Sequence, residues 1–265
     1  MARGGTIAAI TLLSCHCAVA QAQTKLTAHY TLSIAGIAIG EGDWTVEVGK
    51  DRYTARSSGR LFGVWRVMLD RDIAATTRGA AAPGRLTPTG YSANFSSDSR
   101  VNDVRVIFRN GTVSELETKP PVPIGSDHVP VTASTLRGAL DPLTAGLTAM
   151  PTAADLVSPA VCQRTLPIFD GSHRFDMALS FKRMETVMAD RGYGGPAVVC
   201  AMTYRPVAGY NAETFRADYL RRSRDMEMWF APVPGTRLLA VFCIRIPTVL
   251  GTAELRATEF DGRSR

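Results

Sequence analysis

The chain has 265 residues, 45 % hydrophobic and 20 % charged, with a formal net charge of +6 at pH 7. That balance excludes a disordered chain and leaves enough apolar surface for one sizeable core. The cationic excess is too dilute for a nucleic-acid binder, although it suits an anionic envelope surface.

Arg3 precedes the apolar run Thr6–Leu13, and Ala18-Val19-Ala20-Gln21-Ala22 puts small residues at two export cleavage sites. Residues 1–22 are therefore predicted to be a secretory signal peptide, cut after Ala22, with Ala20 as the other site. The apolar run is far shorter than the roughly 20 residues a bilayer-spanning helix needs. Leu12-Leu13-Ser14-Cys15 resembles a lipobox, so anchoring through an acylated Cys15 is the alternative to a free periplasmic protein. Loss of Arg3 with the signal leaves residues 23–265 at +5, from +6 less one. No later segment approaches membrane length, because charges recur throughout.

Period-2 alternation dominates residues 23–265. Leu26, Ala28, Tyr30, Leu32 and Ile34 alternate with polar neighbours, and a turn near Gly36 and Gly40 leads to Trp44, Val46 and Val48. Tyr53–Arg60 reads as a third, more polar strand. Phe62–Leu69 is a short apolar stretch of helical character, and Phe62, Val64, Trp65, Val67 and Met68 either line a ligand cavity or plug a barrel end. Asn110-Gly111 is the strongest hairpin signal, since both residues tolerate the positive φ of a type I′ turn; it should set Phe108 opposite Val113. Lys119–Pro130 is Pro-rich and reads as an exposed connection. Asp141-Pro142 is a helix start, with Asp141 as the cap and a run to about Leu147 before Pro151.

Phe175, Met177, Leu179 and Phe181 open a second β half, continued by Ala197–Tyr204, Asp225–Ala231, Arg237–Ile246 and Thr252–Phe260. Ten to twelve strands in meander order predict an all-β fold: one large antiparallel sheet forming a barrel or a half-closed, curved sheet, with one or two short helices. The single domain divides into β halves at about 23–118 and 159–262, joined by a connection and short helix at about 119–158.

Cys162, Cys200 and Cys243 remain after export, an odd count in a compartment where thiols oxidise. Cys162 and Cys200 flank a predicted hairpin and are expected to pair, closing a 38-residue separation worth about 4 kcal/mol in the chain-entropy model. Cys243 lies in an apolar run and reads as a buried free thiol. His29, His128 and His173 have no metal-ligand spacing, and no nucleophile elbow or phosphate-cradling loop occurs. Asp170-Gly171 with Arg174 and Asp176 is either a polar ligand contact or a hairpin turn with a local ion pair, the simpler reading. Arg216, Arg221, Arg222 and Arg224 around Phe215 and Tyr219 either meet an anionic surface or protect a solvated sheet edge.

Four motifs occur in order along the chain: Tyr30 followed by Gly36 and Ile39-Gly40-Glu41; Leu86-Thr87-Pro88-Thr89-Gly90-Tyr91; Asp141-Pro142-Leu143; and Phe169-Asp170-Gly171 followed by Arg174-Phe175-Asp176. Together they resemble the domain-of-unknown-function 3108 family of bacterial exported proteins, from about residue 26 to 260. The resemblance implies a meandering barrel or clam-like sheet in the envelope, and no reaction. The expectation is a non-enzymatic periplasmic protein that binds an apolar or amphipathic envelope component, such as a lipid, lipoprotein or envelope protein. No cofactor, metal or nucleic acid is expected. The alternatives are a structural or interaction protein with a filled core, and an uncharacterised hydrolase.

Overall fold

A computed structural model describes residues 24–63, 65–66, 72–96, 101–121, 128–151, 154–211 and 215–264. The predicted signal segment (residues 1–22, with Cys15), Val64, Val67 and Met68 lie outside the described residues, as do the side chains of 215–218 and 264. The N-terminal half is a meander of seven strands: β1 (Thr24–Ile34), β2 (Ile37–Val48), β3 (Arg52–Leu61), β4 (Asp72–Ala82), β5 (Arg85–Ser96), β6 (Val101–Arg109) and β7 (Thr112–Lys119). A central segment follows, with the helix α1 (Pro142–Ala145), the short strand β8 (Leu147–Ala149) and a 3₁₀ turn at Pro159–Cys162. The C-terminal half carries β9 (Arg164–Phe169), β10 (Arg174–Met188), β11 (Arg191–Gly192), β12 (Gly194–Ala208), the helix α2 (Phe215–Arg222), β13 (Met226–Pro232), β14 (Leu238–Thr248) and β15 (Gly251–Ser264).

All strands belong to one sheet, in the order β7-β6-β5-β4-β3-β2-β1-β15-β14-β13-β12-β10-β9, with β8 on β14 and β11 on β15. The two halves meet where the first strand pairs with the last, from Thr24 opposite Ser264 to Ile34 opposite Ala253. The alternating apolar residues of β1 point inward: Leu26 and Ala28 are fully buried and Tyr30 nearly so. At the β6–β7 turn, Asn110 and Gly111 have φ of 53° and 71°, and Phe108 does face Val113.

Among the described residues thirteen strands lie on the main path and two short ones flank it, against ten to twelve expected. β4 and β5 are rich in Ala, Thr and Gly and show little apolar alternation. Pro88, which would break an ordinary strand, is accommodated at a register shift opposite Gly79. The helix is also shorter than expected. It ends at Ala145, and Leu147 begins β8 because the chain there hydrogen-bonds to β14, with Leu238 opposite Ala149.

The sheet curls until its edge strands approach. Thr112 pairs with Arg137 and the Gly138 amide donates to the Gly111 carbonyl at 2.7 Å, while Leu140 lies parallel to Ile168 of β9. Residues 137–140 thus bridge the two edges. Phe169 at the end of β9 packs in one cluster with Tyr91, Ala93, Val104, Val106 and Phe108 of β5 and β6.

Candidate functional site

The interior is occupied by the protein's own central segment. Asp141 is fully buried; one carboxylate oxygen accepts from the Leu143 and Thr144 amides at 3.1 and 3.0 Å, so it caps α1 as its sequence position suggests. The other accepts from the Thr144 and Thr77 hydroxyls at 2.6 and 2.9 Å. Thr144 also bonds the Tyr53 hydroxyl at 2.7 Å, and Gly146 sits against the Trp44 ring. Burial holds the Asp141 carboxyl above its usual range, partly offset by these hydrogen bonds. Burial likewise raises the Tyr53 and Tyr91 phenols, with Asp141 as the next cause. The Asp141-Pro142-Leu143 motif is therefore an internal staple joining β3 and β4 to the central segment.

Asp170 and Arg174 are equally committed to structure. Asp170 accepts from the Ser172 and His173 amides at 2.8 and 2.7 Å, closing the β9–β10 turn. Burial alone would raise its pKa, but the hydrogen bonds from His173 and Ser172 outweigh it and hold the carboxyl below its usual range. Arg174 is 7 % exposed; its guanidinium donates to the Thr135 carbonyl at 3.0 Å and to Asp176 at 2.7 Å. These contacts make a hairpin turn with a local ion pair.

The cysteines fall as expected, with one difference of detail. Cys162 and Cys200 form a disulfide with Cα atoms 5.4 Å apart. Cys162 lies in the 3₁₀ turn rather than on a neighbouring strand, so the bond ties the central segment to β12. Cys243 is a buried free thiol, its pKa pushed up to about 12 by burial first and Glu254 second, which keeps it protonated at neutral pH.

Strand directions place the β1–β2 and β14–β15 turns, the β3–β4 connection, the β9–β10 turn and the β12–β13 connection at one end of the sheet, here the upper rim. Eleven large apolar residues are exposed among the described residues, and six of them, Ile37, Phe62, Ile73, Val101, Val249 and Leu250, lie on this rim. That concentration separates it from the scattered exposed apolar residues any protein carries. Phe62 follows β3, with its amide bonded to the Ile39 carbonyl at 3.0 Å, and Trp65 beside it is half-buried. They sit at the sheet end that also carries the β9–β10 turn of Asp170 and Arg174.

The arginine-rich segment is helical, a feature the charge pattern did not disclose. Arg216, Arg221 and Arg222 belong to α2, which leads into β13 at the upper rim, and Arg224 follows it; Arg221, Arg222 and Arg224 are exposed. Two basic residues in the last turn suit the negative end of the helix dipole. A depression of about 430 Å³ crosses β4–β7, lined by small and charged residues including Ala74, Ser92, Asp103 and Lys119; it is an open trough. Among the described residues there is no group of three or more His, Cys, Asp or Glu side chains able to hold a metal ion, and no helix long and apolar enough to cross a membrane.

The family model described as "Protein of unknown function (DUF3108)" matches residues 28–258. No curated protein matches the chain. Among solved structures, a β-barrel-like protein of domain of unknown function DUF1849 from Brucella abortus is similar at 10 % identity, with a TM-score of 0.44, covering 92 % of this chain and 98 % of that one.

Proposed function

This chain belongs to the DUF3108 family of proteins of unknown function, and on that premise we propose that it is a non-enzymatic protein of the bacterial cell envelope. It engages an apolar or amphipathic envelope component, lipid or lipoprotein, at the upper rim of its sheet. The observation carrying this reading is the gathering of six exposed apolar side chains on one rim while the interior is stapled shut by Asp141, Thr144, Thr77 and Tyr53. A periplasmic setting is supported by the signal-like residues 1–22 and by the Cys162–Cys200 disulfide, which persists in an oxidising compartment.

Native mass spectrometry of the protein purified from its own envelope tests the reading. A co-purified lipid or lipoprotein is the expected result, and a clean apo mass under gentle conditions overturns it. A second reading, an interaction protein with no small ligand, draws on the same filled interior and predicts that clean mass together with a protein partner. The hydrolase alternative would need Asp170, His173 or Asp176 to act on a substrate. Alanine at each is expected to alter stability alone, and loss of function without loss of folding would revive it.

A further inference from the structure

We propose that the protein forms a homodimer through the C-terminal half of β10, the free edge from Ser180 to Met188 pairing antiparallel with the same edge of a second copy about an axis through Met184. The inference goes beyond the envelope reading above and does not depend on it.

Unequal strand lengths leave this edge open. β10 runs from Arg174 to Met188 and pairs with β12 along that length, whereas β9 begins its register at Arg164, opposite Leu179. From Ser180 to Met188 the backbone therefore has β12 on one side and, among the described residues, no strand or bridge on the other. The two ends of the main strand path are guarded in ways this edge is not. β9 carries Pro167 and is covered by Leu140 at Ile168, and β7 is bridged by Arg137 at Thr112 and bears Glu115, Glu117 and Lys119.

A bulge gathers the apolar side chains of the open stretch on one face. Phe181 lies opposite Cys200 and Arg183 opposite Val199, so Lys182 is an extra residue and the alternation shifts by one. Phe181, Met184 and Met188, opposite Cys200, Val198 and Gly194, consequently share a face of the sheet. They are 41 %, 43 % and 72 % exposed, three of the five large exposed apolar residues that lie off the upper rim among the described residues. The other face carries Arg183 and Glu185, paired with each other at 2.7 Å; Arg183 also bonds Glu227 at 2.8 Å and lies over the Trp229 ring.

Length and charge identify the occupant. The open stretch is closed at one end by β9 and at the other by the turn after Met188, so a long guest strand collides with β9. A second copy brings a stretch with the same limits, and Met184 lies midway between them. Residues directly opposite in an antiparallel ladder share a face, so a two-fold axis must pass through a residue. An axis at Arg183 or Glu185 would set like charges against each other. An axis at Met184 sets each Arg183 opposite Glu185 of the second copy, joining two existing ion pairs into one group of alternating sign. Lys182, held by Glu227 at 2.6 Å, falls opposite Thr186. At the ends of the stretch Arg164 and Asp190 are of opposite sign, and antiparallel pairing brings the Arg164 end of one copy to the Asp190 end of the other. On the apolar face Met184 meets its own copy, with Phe181 and Met188 alongside. The upper rims of the two copies point in opposite directions and stay free.

Sedimentation of the purified protein across about 1–200 μM tests the pairing, with an expected shift from the mass of one chain to that of two. Met184→Lys sets two ammonium groups face to face at the axis and should weaken association about tenfold. Its melting temperature should match wild type, because the side chain is exposed. Crosslinking fixes the register. Among the described residues Cys243 is buried and Cys162 and Cys200 are joined, so an added surface thiol reports alone. Met184→Cys should give a reducible dimer on mild oxidation, the two Cα atoms at that position lying about 5 Å apart. Thr186→Cys, about 13 Å from its copy in this register, should not. A monomer at every concentration overturns the proposal, as does a monomer whose open edge holds a co-purified peptide. So does a dimer that Met184→Lys leaves intact, or one in which Thr186→Cys crosslinks as readily as Met184→Cys.

Discussion

Asp141 shows how much one side chain organises here. An aspartate before Pro142 is legible as a helix cap from spacing alone, and it does cap α1. Its second oxygen was not legible, because Thr77 lies 64 residues away in sequence and becomes a donor to it only after the sheet curls. Replacing Asp141 with alanine removes the acceptor for two amides and two hydroxyls in a buried site. The expected loss is about 2–4 kcal/mol, measurable as a lower midpoint in urea with an unchanged slope. Acid sensitivity belongs to other carboxylates. Burial alone would raise Glu227, but hydrogen bonds from Arg183 and Lys182 outweigh it, and both Glu227 and Asp170 are held below the usual range. Their stabilisation is present above the unfolded-state value of about 4 and is lost as pH falls through the folded-state values. Asp141, raised by burial, has the opposite sign: its contribution is fullest below that value and declines as pH rises. Asp170→Asn should therefore flatten the acid limb of a plot of melting temperature against pH, and a limb as steep as wild type would exclude the assignment.

The β9–β10 turn couples the two halves as an element, through a contact that neither half reveals alone. Gly171 has a φ of 103°, and a Cβ there would fall 2.2 Å from the Val104 Cγ1 atom on β6. Gly171→Ala should cost about 2–4 kcal/mol from backbone strain and overpacking together. Adding Val104→Ala should recover part of that loss and no more, since the strain at φ remains; full recovery would assign the whole effect to the clash. Strands with clear alternation, such as β1 and β10, could be read directly, as could the Asn110-Gly111 hairpin. β4 could not, because Ala-Ala-Thr-Thr offers both faces small residues and becomes a strand through its neighbours β3 and β5. The helix α2 was hidden for a different reason: its sequence Phe-Arg-Ala-Asp-Tyr-Leu-Arg-Arg has too little apolar periodicity to signal a face.

At the level of the molecule, the central segment is held by covalent as well as polar contacts. The Cys162–Cys200 bond joins it to β12 across a separation of 38 residues. Cys162→Ser/Cys200→Ser should lower stability by about 3–4 kcal/mol on the chain-entropy account, read as a fall in melting temperature that reductant reproduces in wild type. A variant that melts like wild type under non-reducing conditions would contradict that role. The pairing was legible because Cys162 and Cys200 flank a predicted hairpin while Cys243 lies in an apolar run, whereas the rim was not. Ile37, Phe62, Val249 and Leu250 are far apart in sequence, and only the strand order brings them to one end.

The junction of β1 with β15 also sets a timetable. Thr24 and Ser264 are register partners separated by almost the whole chain, whereas β2 to β7 pair with neighbours a turn or a short connection away. Local hairpins can form as soon as their residues are available, but closing so distant a pair carries a large loop entropy. Refolding should therefore assemble the two meanders before they join. In pulsed hydrogen exchange, amides shared by β1 and β15 should gain protection after those of the β6–β7 hairpin. Until that late step β1 and β15 are edge strands, each with one side unpaired, the state in which this sheet is most open to pairing with another copy of itself.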